Sequence, residues 1–324
     1  MSTAFRLEFN PSPIPNKITI EQRILLLGSC FTNHIFDRLH LHKFDVVQNP
    51  NGILFNPLSI FHSLRQYLGA DVIREEELFL HQGIWNHWSF HSSYSDADRS
   101  IALDKMNSSI MSANHFLRKT DWLFITLGSA FVYEHSTAGV VANCHKYPSD
   151  QFRKYLLDPS QIANQFSLLM EELQKANSNI RVVLTVSPVR HLRDGFVENN
   201  RSKAVLFHAI DKITSQHAAV DYFPAYELIV DDLRDYRFYA EDMVHPNYLA
   251  TQYVWEKFVE TCIDGKTQQV MKDIQQLQQA FKHRPMHPNS TEHEKFRQKF
   301  KEIATQLSNR FPSLNFSDEL NYFS

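Results

Sequence analysis

Apolar and polar positions alternate along most of the chain in blocks that favour strands and helices in turn. Short apolar runs rich in β-branched residues predict strands at Ile24–Leu27, Phe44–Gln48, Trp122–Leu127, Arg181–Ser187 and Val220–Phe223. Helical spacing of apolar residues predicts helices at Phe31–Leu39, Pro57–Leu68, Ile101–Lys119, Pro159–Ala176, Asn200–His217 and Tyr248–Cys262. This alternation predicts an α/β fold: an αβα sandwich in which helices cover both faces of a mostly parallel sheet.

Two insertions and a tail depart from this pattern. The insertions span Glu77–Ser95 and Ala130–Asp150, and we expect both to overlie the edge of the sheet. Beyond Gly265 the composition shifts to Gln, Lys and Glu, with the motif His287-Pro288-Asn289 between two predicted helices. We therefore divide the chain into an α/β domain, residues 1–265, and a helical C-terminal extension, residues 266–324.

Composition and charge exclude several classes of partner. Hydrophobic residues make up 43% and charged residues 21% of the 324 residues, and the net charge is -3. This balance gives no reason to expect nucleic acid or an anionic membrane as a partner, and no apolar run approaches membrane-spanning length. The segment Met1–Asn10 lacks a basic start followed by a long apolar stretch, so we expect no signal peptide and a cytoplasmic location.

The cysteines do not indicate a metal site or a disulfide framework. Cys30, Cys144 and Cys262 are too few and too scattered for either. We expect the protein to need no metal and no organic cofactor.

The segment Leu25–Phe31 contains a candidate nucleophile. An apolar strand runs into a Gly28-Ser29 turn and then into a helix. This context can present the Ser29 hydroxyl at a helix N-terminus, where free backbone N–H groups favour developing negative charge. A Gly-Ser pair also makes ordinary strand-to-helix turns, so the chemistry needs partners elsewhere in the chain.

Asp242 and His245, on the loop before the last helix of the α/β region, are candidate partners. Serine hydrolysis needs a base within reach of the hydroxyl and a group that orients this base. An Asp three residues before a His on one loop can supply both. Asp37 and His40 have the same spacing, but they fall within or at the end of the first predicted helix.

A set of short blocks carries a resemblance to the GSCFA-domain family, which is itself distantly similar to SGNH/GDSL esterases. The blocks cover roughly residues 5–263 and follow the order of that family, with Thr32 in place of its final Ala. They are Gly28-Ser29-Cys30-Phe31, Asn49-Pro50-Asn51-Gly52, Asn56-Pro57, His91-Ser92, Ile125-Thr126-Leu127-Gly128, Asn143-Cys144-His145-Lys146, Thr185-Val186-Ser187-Pro188-Val189-Arg190-His191, the run from Asp231 to Ala240, and Asp242-Met243-x-His245-Pro246.

The resemblance implies a flavodoxin-like, SGNH-hydrolase-like sandwich with Ser29 as nucleophile and Asp242 and His245 as its partners. It also implies an oxyanion hole built from the N–H of Ser29, a glycine N–H after the second strand and an asparagine side chain after the third. Gly52 matches the glycine.

The third oxyanion donor departs from the pattern. After Gly128 the chain reads Ser129-Ala130, so Ala130 stands where the asparagine is expected. Asn143 from the second insertion or Asn49 from the second loop could replace it. Loss of one such donor lowers the rate by about a hundredfold or more, so an efficient esterase needs a substitute.

These residues lead to the hypothesis of a serine esterase that acts on a small acyl ester, an O-acetyl group on a glycan being one candidate. His145 could contact an anionic or polyhydroxyl substrate. Two alternatives stay open: an O-acyltransferase that uses the same residues, and a non-catalytic module on this fold that binds a glycan or a protein. Fold and site residues do not specify the substrate.

Overall fold

A parallel sheet forms the centre of the protein and positions the candidate site. The computed structural model describes residues 7–287 and 290–324. Residues 1–6, part of the segment expected to hold no signal peptide, lie outside the described residues. Pro288 and Asn289 of the second His-Pro-Asn motif lie outside them as well.

The strands and helices expected from the sequence are all present. The described strands are β1 (Ile24–Gly28), β2 (Val46–Gln48), β3 (Phe79–His81), β4 (Ile84–Asn86), β5 (Trp122–Leu127), β6 (Phe131–His135), β7 (Gly139–Val141), β8 (Phe152–Leu156), β9 (Arg181–Val186) and β10 (Val220–Tyr222). The described helices are α1 (Phe31–Leu41), α2 (Pro57–Gly69), α3 (Arg99–Leu117), α4 (Pro159–Ala176), α5 (Gly195–Gln216), α6 (Ala225–Glu227), α7 (Tyr248–Cys262), α8 (Gly265–Lys282), α9 (Thr291–Arg310) and α10 (Ser317–Phe323).

The central sheet has the spatial order β2-β1-β5-β9-β10, and every pair in it is parallel. Alternate residues of β1 enter opposite cores: Ile24 and Leu26 pack on one face, Leu25 and Leu27 on the other. Because both faces are covered, the central strands are continuous apolar runs. The predicted αβα sandwich with a parallel sheet is confirmed.

Several element boundaries differ from the prediction by one or a few residues, and two of these differences have a local turn as their cause. Strand β2 begins at Val46 instead of Phe44, since Lys43 takes a positive φ and the N–H of Phe44 still bonds to the carbonyl of Leu39 in α1. Helix α5 begins at Gly195, five residues before the predicted Asn200. Gly195 has a φ of +83°, which lets a short helical turn lead directly into α5.

The insertions form antiparallel structure outside the central sheet. Strands β3 and β4 pair as a hairpin, and β7, β6 and β8 form a second small sheet. The N–H of His91 donates to the carbonyl of Asn51 at 2.8 Å, which places the first insertion against the loop that follows β2. The N–H of Ala142 donates to the carbonyl of Trp88 at 2.9 Å and joins the second insertion to the first.

The C-terminal helices α8 to α10 share a core with the α/β region. Ile274, Leu307 and Phe323 are buried in the same cluster as Ile24 and Leu26 of β1. An ion pair of 2.7 Å between Lys43 Nζ and the buried Glu319 also joins the two parts. The C-terminal helical extension is thus present, while the division of the chain at residue 265 stays a prediction.

Gly28, the last residue of β1, allows a close backbone contact at the carboxyl end of the sheet. Its φ is +132°, and a Cβ atom added there would lie 2.1 Å from the carbonyl oxygen of Thr126 in β5. A side chain at this position therefore meets both conformational strain and a backbone clash.

Gly28→Ala should lower the free energy of unfolding by about 3 kcal/mol or more, because the backbones of β1 and β5 cannot move apart here without a large energetic cost. Gly83→Ala is the matched control: its φ is +77°, but a Cβ there would meet no atom within 4 Å. The control should lose only about 1 kcal/mol, the cost of a positive φ. Urea unfolding measures both values, and equal losses in the two variants would contradict the steric account.

Candidate active site

Ser29 sits between the end of β1 and the start of α1, at the carboxyl end of the sheet. Its N–H donates to the carbonyl of Thr126 at 3.2 Å, and its own carbonyl accepts from the N–H of Thr32 at 2.9 Å. The residue is only 1% exposed, and its Oγ has no hydrogen-bond partner among the described residues. A buried hydroxyl without a partner is unusual in a folded protein, and such groups concentrate at functional sites.

Asp242 and His245 form a hydrogen-bonded pair on one loop. The distance from His245 Nδ1 to Asp242 Oδ2 is 2.6 Å. The other carboxylate oxygen of Asp242 accepts from the backbone N–H groups of Val244 and His245, both at 2.9 Å. The backbone N–H of His245, then its imidazole, then the N–H of Val244 lower the pKa of Asp242 to about 2. The carboxylate is thus ionised and turned towards Nδ1, as an orienting group must be.

Backbone hydrogen bonds hold this loop in place. The N–H of Ala240 donates to the carbonyl of His245 at 2.7 Å, and the N–H of Asn247 donates to the carbonyl of Phe238 at 2.9 Å. The Asn247 side chain also accepts from the N–H of Ala250 at 3.1 Å and so caps α7. The segment before Asp242 and the first turn of α7 therefore both hold the loop in place.

The Asp242–His245 loop lies near the start of α1. Burial raises the pKa of the Cys30 thiol, and among the charges around it Lys203 lowers this pKa while Asp242 raises it. His245 is within electrostatic range of His34 on α1 and of His191 after β9. The structure thus brings the loop to the side of the sheet where Ser29 lies, although no hydrogen bond joins the Ser29 hydroxyl to the imidazole.

Asn49, after β2, contacts the backbone next to Ser29. Its Oδ1 accepts from the N–H of Gly28 at 2.8 Å, whereas its buried Nδ2 has no hydrogen-bond acceptor among the described residues. The N–H of Gly52 donates to the carbonyl of Asn49 at 2.7 Å and closes a turn. Of these two residues, Asn49 has the unused donor, and the N–H of Gly52 is already engaged.

Asn143 and His145 lie together in the second insertion. Asn143 Oδ1 accepts from the N–H of His145 at 2.9 Å, and His145 Nε2 lies 2.9 Å from the carbonyl of His87. The His145 ring is buried against the rings of Phe79 and Trp88, with centroid distances of 5.7 and 6.1 Å. Burial lowers the pKa of His145, which favours the neutral imidazole. The hydrogen bonds and ring contacts of these two residues join the insertions to each other, and among the described residues none of these contacts reaches Ser29 or Asn49.

The loop after β5 contains no amide donor at the expected place. Ala130 is fully buried, and its N–H donates to the hydroxyl of Ser202 at 2.7 Å. Ser129 Oγ lies 3.1 Å from the same hydroxyl. Both residues tie the loop to α5, so the third donor of an oxyanion hole has to come from another loop.

Lys203 on α5 is a residue of this region that the sequence reasoning missed. It is 2% exposed and reaches the loops after β5 and β9. The available signal was its position: Lys203 precedes Leu206, Ile210 and Ile213 at helical spacing, so it continues the apolar stripe of the helix. A lysine in a buried stripe is rare and needs an explanation.

The described part of the chain shows neither a group of metal ligands nor a membrane-spanning helix. Within residues 7–287 and 290–324, no three or more His, Cys, Asp or Glu side chains group in a way that could hold a metal ion. No helix in those ranges is long and apolar enough to cross a membrane.

The sheet order and the layers of helices define a flavodoxin-like αβα sandwich. The chain belongs to the GSCFA family, which its residues 23–258 match, and residues 274–324 match the C-terminal domain of GSCFA domain proteins. The resemblance found in the sequence blocks is thereby confirmed.

Several chains of known three-dimensional structure are similar to this protein. The crystal structure of a carbohydrate esterase family 3 from Talaromyces cellulolyticus is 14% identical, with a TM-score of 0.33, and the match covers 78% of this chain and 99% of that chain. No curated protein sequence matches the chain significantly.

The pKa of Asp242 should be about 2 in the folded protein, against an ordinary value of 3.8. His245→Ala removes the imidazole but keeps the backbone donors, so this pKa should rise while staying below 3.8. Since the folded pKa is the lower one, the stability that the carboxylate contributes is complete above pH 3.8 and is lost as the pH falls towards 2. Carbon-13 NMR of aspartate carboxyl groups follows both titrations. A wild-type midpoint near 3.8 would contradict the described hydrogen bonds.

Proposed function

We propose that this protein is a serine esterase with Ser29 as nucleophile, His245 as general base and Asp242 as the group that orients the base. The observation that carries the proposal is the 2.6 Å hydrogen bond between Asp242 and His245 on a loop near the Ser29-Cys30 turn. A carboxylate at Nδ1 leaves Nε2 free to take a proton, which is the arrangement that activates a serine.

The reaction follows acyl transfer through a covalent intermediate. Ser29 Oγ attacks the ester carbonyl carbon while His245 Nε2 takes the hydroxyl proton. The tetrahedral intermediate then collapses, the C–O bond to the alcohol breaks, and His245 returns the proton to the leaving oxygen. A water molecule, deprotonated by the same imidazole, releases the acid and restores Ser29. In this state the hydroxyl and the imidazole are not hydrogen-bonded, so substrate binding has to bring them together, as catalytic hydrogen bonds often tighten in the complex.

Asn49 is the oxyanion donor that the geometry supports best. Its buried Nδ2 is unused, and its Oδ1 is anchored to Gly28 beside the nucleophile. The N–H groups of Ser29 and Gly52 donate to backbone carbonyls at 3.2 and 2.7 Å, so each would have to exchange its partner for the oxyanion. Asn143 would have to reach in from the second insertion, where its carbonyl oxygen is bonded to His145.

A small acyl group suits a nucleophile that is buried. Ser29 is 1% exposed, so an acetyl group fits the proposal better than a long chain does. The rings of Phe79 and Trp88 stack at a centroid distance of 3.8 Å beside His145, in the insertion that packs on the loop after β2. His135 also stacks on Trp88, at 4.9 Å, so these rings join the two insertions to each other, and the acylated glycan is a part of the proposal that a substrate screen has to test.

A non-catalytic binding module is the second candidate, and two observations favour it. The Ser29 hydroxyl is buried without a bond to any base, and Ala130 replaces the expected amide donor. Two results together would support this candidate. Wild type and Ser29→Ala would bind acetylated sugars equally well, and wild type would not hydrolyse them.

Ser29→Ala and His245→Ala should each lower kcat/KM for p-nitrophenyl acetate by about a thousandfold or more, because the triad acts as a unit. Asp242→Asn should also lose activity, since an amide at Nδ1 favours the wrong imidazole tautomer. Asp37→Asn, the same substitution in the Asp-x-x-His pair on α1, is the matched control and should keep wild-type activity. Esterase activity that survives His245→Ala would show that His245 is not the general base.

Asn49→Asp should lower kcat by about a hundredfold with little change in KM. The variant keeps the acceptor for the N–H of Gly28 but replaces the donor with a carboxylate oxygen, so the fold is retained and the oxyanion loses its partner. Asn143→Asp is the competing variant. Steady-state kinetics of both decide between the two donors: a loss confined to Asn143→Asp would overturn the choice of Asn49.

A further inference from the structure

Lys203 is a buried lysine at the carboxyl end of the sheet. It lies on α5 in line with buried Leu206 and Ile210 and is 2% exposed. Removing an ammonium group from water is unfavourable unless a partner compensates for the lost hydration. Its charged and titratable neighbours are Arg190, which is another cation, the Cys30 thiol and the His191 ring. No carboxylate of the described residues forms an ion pair with it.

Two backbone carbonyls hold the Lys203 amine. Its Nζ donates to the carbonyl of Gly128 at 2.7 Å and to the carbonyl of Ser187 at 2.7 Å. Gly128 directly follows β5, and Ser187 directly follows β9. The amine thus bridges two adjacent loops and leaves a third N–H available when it is protonated.

These loops border the nucleophile. Thr126, two residues before Gly128, pairs with Gly28 in the sheet and accepts the N–H of Ser29. The N–H of Ser187 donates to the carbonyl of Leu127 at 2.9 Å, so the backbone segments that Lys203 ties together are also joined to each other. Lys203 and Cys30, the residue after Ser29, are within electrostatic range.

We propose that Lys203 is a positioning residue of this site: it fixes the loops after β5 and β9, and its ammonium charge stabilises the oxyanion that forms at Ser29. This inference rests on the proposed esterase function. A charge in the low-dielectric interior acts over several ångströms without touching the reacting atoms. The ammonium therefore supplies part of the stabilisation that the missing amide after Gly128 would give.

The protonation state of Lys203 makes this contribution depend on pH. Burial, and after it Arg190, lowers the pKa of Lys203 to about 7, while Cys30 opposes the shift. Burial, with the added effect of Lys203 and His245, lowers the pKa of His191 to about 4, so this neighbour is neutral over the working range. The ammonium is present below pH 7 and is lost above it, so its catalytic contribution should fade on the alkaline side.

Lys203→Met tests the proposal, because methionine keeps the length of the side chain without its charge. We expect a folded variant of equal or higher stability, since replacing a buried charge by an apolar group is often neutral or stabilising. Its kcat for p-nitrophenyl acetate should fall about tenfold with KM unchanged, and the alkaline decline of kcat near pH 7 should disappear. Lys212→Met is the control on the same helix, where the amine donates to Ser160 Oγ at 2.8 Å, and it should change neither value.

Two kinetic outcomes would overturn the proposal. One is a Lys203→Met variant with wild-type kcat and pH profile. The other is a loss of kcat that runs parallel to a loss of stability, which would reduce Lys203 to a structural residue.

A readout that needs no turnover separates this inference from the proposed function. Carbon-13 NMR of labelled lysine should show a Lys203 titration near pH 7, and the pKa of His191 should rise above about 4 in Lys203→Met. If wild type hydrolyses no ester, the esterase proposal fails. The spectra then still show whether the Lys203 amine is buried and whether its charge acts on His191. A Lys203 titration near 10.5 with an unchanged His191 would overturn this inference.

Discussion

The close approach of β1 and β5 at Gly28 is the contact on which the rest of the site depends. The absent side chain lets the Gly28 backbone lie against Thr126, and the N–H of Ser29 bonds to the Thr126 carbonyl. The N–H of Gly28 is then free to bond to the side chain of Asn49 at 2.8 Å. One glycine thereby fixes the serine and the amide that we propose as its oxyanion donor.

Parallel pairing brings the other participants to the same edge, because the carboxyl ends of all its strands meet there. The loops after β1, β2, β5 and β9 carry Ser29, Asn49, Gly128 and His191, and the Asp242–His245 loop closes on them. Buried polar atoms without partners occur on three of these loops: Ser29 Oγ, Asn49 Nδ2 and His191 Nε2. Leaving such groups unpaired costs stability, and a substrate that pairs with them would recover it.

Local signals in the sequence were sufficient for the elements and insufficient for the contacts between them. β5, α4 and α7 have the predicted bounds, because apolar period and capping residues such as Asp158 and Asn247 act within a few positions. The Asp242–His245 pair was predictable for the same reason, as both lie on one loop. The hydrogen bond from the N–H of Gly52 to the carbonyl of Asn49 depends on the conformation of a turn, which the sequence pattern does not specify. The contact of Lys203 with Gly128 joins positions 75 residues apart, which no local pattern specifies.

In the proposed mechanism this fold activates Ser29 through His245. A fluorophosphonate probe reacts with serines whose hydroxyl is made nucleophilic by a base, and peptide mass spectrometry locates the modified residue. We expect covalent modification of Ser29 in wild type, and none in folded His245→Ala. An unmodified Ser29 in folded wild-type protein, or equal modification in the variant that lacks the imidazole, would contradict this mechanism.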